Sequence, residues 1–213
     1  AVLPDRLAEV VRSLPAPRKM RWGSGELAFV RPVSWLVALL DDTVLPVDVD
    51  GLKADRVTRG HRFMAPDPII LDHPGAYEDR LRDAFVVASP QERRERLGEA
   101  LAGAAAQEGL TPVEDEDLLA EVVNLVEWPV AILGRFDARY LALPDEVLST
   151  VMIHHQRYVP LKASTGELAD RFVGISNTIV EDASAVRAGY EAVLDGRLYD
   201  ARFFWDSDRS QTL

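Results

Sequence analysis

Four short stretches carry residues that could do chemistry. The first is Arg18-Lys19-Met20-Arg21-Trp22-Gly23, followed by Phe29-Val30-Arg31-Pro32-Val33-Ser34-Trp35. Cations interleaved with indoles suit RNA: Arg and Lys take phosphates, and unstacked bases lie on aromatic faces. The competing role is structural, with Arg stems packed over core tryptophans. Trp35 is expected in the core because it opens an apolar run, whereas both roles stay open for Trp22.

The second stretch, Thr58-Arg59-Gly60-His61-Arg62-Phe63, sets two guanidiniums and an imidazole on one loop. Guanidinium pairs bidentately with phosphate or carboxylate, so the loop either binds an anion or ties itself to one of 35 acidic residues. Loops are where binding groups gather, which favours function here. The third is His154-His155-Gln156-Arg157-Tyr158 at a helix-to-strand junction. It reads as a ligand-facing cluster or as a cationic last helical turn that suits the dipole. In the fourth, Arg197 to Trp205, the aromatic stripe is expected to pack rather than to stack bases.

Other chemistry is missing from the sequence. No glycine-rich phosphate loop and no G-x-S-x-G elbow occurs. The chain has no cysteine, which excludes disulfides, thiolate metal sites and a cysteine nucleophile. Of the four histidines, His154 and His155 are adjacent on a predicted helix and point apart. No catalytic residue and no metal ligand is therefore assigned.

Charge narrows the RNA reading. Residues 1–62 carry ten Lys/Arg and eight Asp/Glu, residues 63–153 seven and eighteen, and residues 154–213 seven and nine. The acidic middle is repelled by a phosphate backbone, so contacts must come from the first or last third. The longest apolar run, Trp35 to Leu40, falls far short of the roughly 20 residues that span a bilayer. With 47% apolar residues in 213, a sizeable core can form. The N-terminus, Ala1 to Asp5, has no secretory pattern, and both ends are expected to be cut from a larger intracellular protein.

Periodicity supplies the elements that must position these residues. Leu3, Leu7, Val10, Val11 and Leu14 predict a helix over 4–14, ended by Pro15 and Pro17. A turn is expected at 23–25, then a hairpin of 29–40 with 44–49 about Asp41-Asp42-Thr43, and a basic loop over 51–63. Strands are predicted at 69–71, 85–88, 129–133, 158–162 and 171–176. Helices are predicted at 74–84, from Pro90 to about Gln107 with Ser89 as cap, at 116–126, at 144–155 and at 183–206. Strands and helices mix without a regular βαβ beat. The fold class is therefore α+β, a mixed sheet with packed helices and a long C-terminal helix.

The strings in this order resemble the β subunit of the bacterial two-subunit glycyl-tRNA synthetase. The matching residues are Pro17 to Gly23; Phe29 to Val33 with Trp35 to Leu40; Thr58 to Phe63; Leu125 to Val130; His155 to Tyr158; and Arg197 to Ala201 with Phe203-Phe204. The family pattern is departed from at Ser34, at Ile153-His154 and at Gly189-Tyr190-Glu191-Ala192.

The resemblance implies an α₂β₂ ligase that charges glycine-specific tRNA using ATP and magnesium, both acting in the α subunit, with no cofactor in this segment. It implies an editing-type domain, similar to that of the phenylalanyl-tRNA synthetase β chain, over 1–182. A helix over 183–213 would lead into a further domain. The expected role is tRNA binding and architecture in the cytoplasm, with tRNA and the α subunit as partners and neither DNA nor membrane. The alternatives are an editing hydrolase and a pure scaffold. Glycine lessens the need for editing, since a site can exclude every larger side chain sterically. The expected RNA-binding residues are Arg18, Lys19, Arg21, Trp22, Arg59, His61, Arg62, Gln156 and Arg157.

Overall fold

An apolar stripe one helical turn apart folds the first segment into α1 (Val2–Ser13), which lays Ala8, Leu7 and Val11 on Val47 and Val49. This computed structural model describes residues 2–23 and 25–210; Ser24 of the expected turn at 23–25 lies outside them. Its contacts cluster into two compact units, residues 1–86 and 87–213.

In the first unit, β1 (Met20–Arg21) pairs antiparallel with β2 (Ala28–Phe29), Met20 opposite Phe29. The expected apolar strand over 29–40 is broken into pieces. β3 (Leu36–Val37) is followed by β4 (Leu39–Leu40), which turns at Asp41-Asp42 into β5 (Thr43–Val44). Asp41 takes φ 53°, a left-handed conformation that Asp tolerates. The hairpin is thus present but shorter than expected. Pro46 donates no hydrogen bond and lies between β5 and the next strand.

β6 (Asp48–Val49) and β7 (Leu52–Asp55) form a second hairpin. Its two central residues, Asp50 and Gly51, both have positive φ, as a type I′ turn requires. β3 joins β7 in parallel, which makes a small mixed sheet of order β3-β7-β6. The basic loop expected over 51–63 is therefore largely strand. β8 (Val57–Arg59) continues it and pairs with β9 (Pro68–Ile70).

A 3₁₀ turn at Pro74–Ala76 leads into α2 (Tyr77–Asp83). The strand expected at 85–88 does not form. Phe85 adopts φ 59°, and Val86 N–H donates to Leu81 O, so the segment closes the end of α2.

The second unit starts with α3 (Pro90–Ala106), whose Ser89 cap accepts from Glu92 N–H. β10 (Thr111–Pro112) follows, then α4 (Glu116–Leu125), where Asp115 caps Leu118 N–H at 2.8 Å. β11 (Val130–Arg135) leads through a 3₁₀ turn (Ala138–Ala142) to α5 (Asp145–Ser149). α5 runs on as a π-helical segment, Thr150–Gln156. β12 (Val159–Lys162), β13 (Leu168–Ser176) and α6 (Ala183–Ser210) complete the chain.

The four-stranded sheet is antiparallel, in the order β10-β12-β13-β11. Its two faces bury different cores because neighbouring residues of a strand point to opposite sides. Val173 packs with Leu97, Leu101, Leu118 and Val122 of α3 and α4. Phe172 packs with Tyr140, Leu148, Leu194 and Leu198. The long helix expected at the C-terminus is present. Fully buried Leu194 and Leu198 dock it on this sheet, within the second compact unit. Gly134 and Gly174 give ring room: a Cβ on either would meet Phe172 or Tyr190 within 2.6 Å.

Candidate nucleic-acid interface

Arg18 and Arg21 are exposed on the segment that enters and forms β1, and Lys19 lies half-buried between them. Lys19 lines a cleft beside Arg12, Glu26 and Asp50. Trp22 does not share their exposure. Its Nε1–H donates to Phe29 O at 3.0 Å, which ties the β1–β2 hairpin together. Trp22 is thus a half-buried anchor of the element that displays Arg18 and Arg21.

The second cationic loop divides in the same way. Arg59 ends β8 and Arg62 follows it, and both side chains are exposed. His61 between them is only 2% exposed. Its Nδ1 accepts from Phe63 N–H at 3.3 Å and Met64 N–H at 3.2 Å, and the His61 backbone N–H donates to Ala84 O at 2.8 Å. Two amide donors on Nδ1 make that nitrogen an acceptor, so the imidazole shapes the loop from inside and is not presented to a ligand. Gly60 is needed for the same packing, since a Cβ there would lie 2.4 Å from Ala84 Cβ.

The loop therefore holds Arg59, Arg62 and Phe63 outward from a buried peg. Phe63 is 74% exposed with the Arg62 guanidinium 5.7 Å from its ring centre. The Arg59 guanidinium lies 5.9 Å from the centre of the Trp35 ring. Trp35, expected in the core, is 46% exposed. Flanking apolar residues could not reveal this, because the strand it precedes is two residues long. Phe63 and Trp35 are the aromatic groups missed as surface features. Their only sequence signal is an aromatic side chain next to, or following, the cationic strings.

The third cluster lies in the second unit. Arg157 ends the π-helical segment in the left-handed region, at φ 56°. Its Nε donates to Glu121 Oε1 at 2.8 Å and its Nη1 to His154 O at 2.5 Å. The guanidinium is thus tied to α4 and to its own helix end. Gln156 beside it is half-buried.

Among the described residues, Arg18, Lys19, Arg21, Arg59 and Arg62 make no side-chain hydrogen bond or salt bridge. Several guanidiniums of the second unit contrast with them, although Arg135, Arg187, Arg197 and Arg209 are also without such a bond among the described residues. Arg94 pairs with Glu116, Arg171 with Asp170 and Glu108, and Arg139 with Asp137 and Asp195. Arg93 donates to three backbone carbonyls. An unpaired guanidinium keeps its whole donor fork for an outside anion. Among the described residues, no group of three or more His, Asp or Glu side chains could hold a metal ion. No described helix is long and apolar enough to cross a membrane.

A family model described as glycyl-tRNA synthetase beta subunit matches residues 1–213. The glycine–tRNA ligase beta subunit of Xanthomonas campestris pv. campestris (strain B100) is 45% identical over 213 residues, which are 100% of this chain and 30% of that protein. Its counterpart in Chromohalobacter salexigens is 47% identical over 213 residues, covering 31% of its length, and that of Myxococcus xanthus 45% over 212, covering 30%. The chain thus spans about a third of the length of these relatives, and it belongs to the glycyl-tRNA synthetase beta subunit family.

Proposed function

We propose that this chain supports tRNA binding and subunit architecture within a glycine–tRNA ligase. The observation that carries the reading is the set of five cations in the first unit, Arg18, Lys19, Arg21, Arg59 and Arg62, left without carboxylate partners among the described residues of an acidic protein. In a chain of net charge −11, an unpaired cation has many carboxylates to find, and these find none. They sit in the part of the sequence whose balance is positive, where a polyanion meets least repulsion.

The architectural half of the proposal has its own support. Trp22, His61 and Arg157, which share strings with the open cations, satisfy backbone or carboxylate groups of the chain itself. Each fixes the segment on which an open cation or Gln156 stands. In the assembled ligase, charging of glycine-specific tRNA with ATP and magnesium would belong to the α subunit, in the cytoplasm. This chain would contribute contacts to the tRNA.

Filter binding of glycine-specific tRNA to this chain at two salt concentrations tests the reading. Affinity that falls steeply with salt supports it, since each neutralised phosphate releases counterions. Absence of binding at both concentrations, with the α subunit still captured, would leave only the scaffold.

A further inference from the structure

Beside Arg59, within the first unit, lies a cleft of ≈ 530 Å³, inside the roughly 300–1,000 Å³ range of small-ligand pockets. Trp35, Leu39, Thr58, Leu71, Pro74 and Tyr77 are among the residues that line it. Two of them are aromatic and open to solvent, Trp35 at 46% and Tyr77 at 38% exposure. Thr58 is only 3% exposed, and its hydroxyl makes no hydrogen bond among the described residues. It is not sealed off either, since no enclosed side-chain oxygen is left without a partner. Thr58 therefore brings to the cleft wall a hydroxyl with no hydrogen bond among the described residues.

We propose that this cleft takes one unstacked nucleobase from a single-stranded segment of RNA. Trp35 and Tyr77 are the stacking surfaces, and the Thr58 hydroxyl meets an edge of the base. Arg59 holds the phosphate of the same nucleotide. The proposal rests on the tRNA-binding reading and narrows it to a single-stranded element.

Three features select this occupant. Apolar walls with one hydroxyl match a flat ring that has polar atoms on its edge. A guanidinium 5.9 Å from the ring that stacks the base is placed for a phosphate attached to that base. A duplex end offers no splayed base, whereas single strands expose both faces. An apolar peptide would fill the walls but leave Arg59 without an anion, so a protein occupant is the alternative to test.

The test uses the whole chain, with two RNA hairpins of the same stem, one blunt and one with a short single-stranded 3′ extension. Binding is read by fluorescence polarisation. The extension is expected to tighten binding about ten-fold, the scale of one base stacked on an aromatic ring. Trp35→Ala should remove that gain, so that the two hairpins bind alike. Thr58→Val keeps the shape and should lose part of the gain. Melting curves on both variants check that the fold survives each change.

If the chain binds both hairpins equally, the cleft proposal fails while the tRNA reading stands. Failure to bind either hairpin overturns both. If the gain survives Trp35→Ala, or if that variant instead loses capture of the α subunit with the gain intact, the cleft belongs to another occupant and the proposal is wrong.

Discussion

Arg157 and Glu121 stand 36 positions apart in sequence and meet through an Nε–Oε1 contact of 2.8 Å, which joins the end of the π-helical segment to α4. Both side chains are more than two-fifths exposed, so the charge pair itself contributes about 0.2–1 kcal/mol. The backbone adds an opposing effect. An L-residue in the left-handed region costs roughly 1–2 kcal/mol that glycine avoids. Arg157→Ala should therefore be less stable than Arg157→Gly in urea unfolding, and Arg157→Gly should lie within about 1 kcal/mol of the parent. Neither change should alter the salt dependence of tRNA binding. An effect there as large as that of Arg59→Ala would return Arg157 to the interface.

Gly60 supports the loop that carries Arg59 and Arg62. A methyl group at this position would sit 2.4 Å from Ala84 Cβ and 2.8 Å from Ala84 O, where backbone cannot give way cheaply. The same carbonyl accepts from His61 N–H. Gly60→Ala should cost about 1–3 kcal/mol in chemical unfolding, the usual penalty for overpacking. An unchanged urea midpoint would show that the loop is looser than this packing requires.

Tyr158 lies against Phe172 at 4.7 Å between ring centres and against Tyr190 at 5.3 Å. Burial, with a smaller contribution from Tyr190, pushes its phenol up to about 12. Burial raises the Tyr190 phenol as well. Above pH 10 the unfolded chain loses the Tyr158 proton while the folded chain keeps it. The unfolded state then binds fewer protons, so stability falls as pH rises. The contribution is intact below pH 10 and is lost between about 10 and 12. Unfolding measured across that window should show a shallower decline for Tyr158→Phe than for the parent. Identical slopes would contradict the placement of this ring.

How much of this was legible depended on the range of the signal. Ser89 stands at a helix start that a few neighbouring residues define and makes the expected cap, while Asp115 caps the predicted 116–126 helix without having been singled out. The stripe from Arg197 to Trp205 packs only in part: Leu198 is fully buried, whereas Tyr199, Phe203 and Phe204 are each more than 60% exposed. Phe85 to Ala88 reads as a strand because it is apolar, yet one left-handed residue turned it into a helix end. Trp35 reads as core from its neighbours, but burial is decided by what packs across from it. In the interface strings the cations were visible, while their partners were not. His61 and Arg62 are adjacent and look alike as cationic groups. One reaches Ala84 through its backbone and lies inside, and the other faces out.

That division yields the sharpest test of the cationic loop. Arg59 and Arg62 are exposed and form no salt bridge among the described residues, so removing either leaves no buried carboxylate uncompensated. Arg59→Ala and Arg62→Ala should therefore melt within about 0.5 kcal/mol of the parent, as surface changes usually do. If they meet phosphates, each should weaken tRNA binding and flatten the plot of log affinity against log salt by about one unit, with little change in sequence preference. His61→Ala should do the reverse. It removes the acceptor for two amides inside the loop, at a cost of roughly 1–3 kcal/mol. Its effect on tRNA should follow only from the loop it releases. Melting curves and salt titrations on the three variants separate the roles. Early melting of Arg59→Ala and Arg62→Ala with unaltered salt slopes would make the loop structural and remove both guanidiniums from the interface.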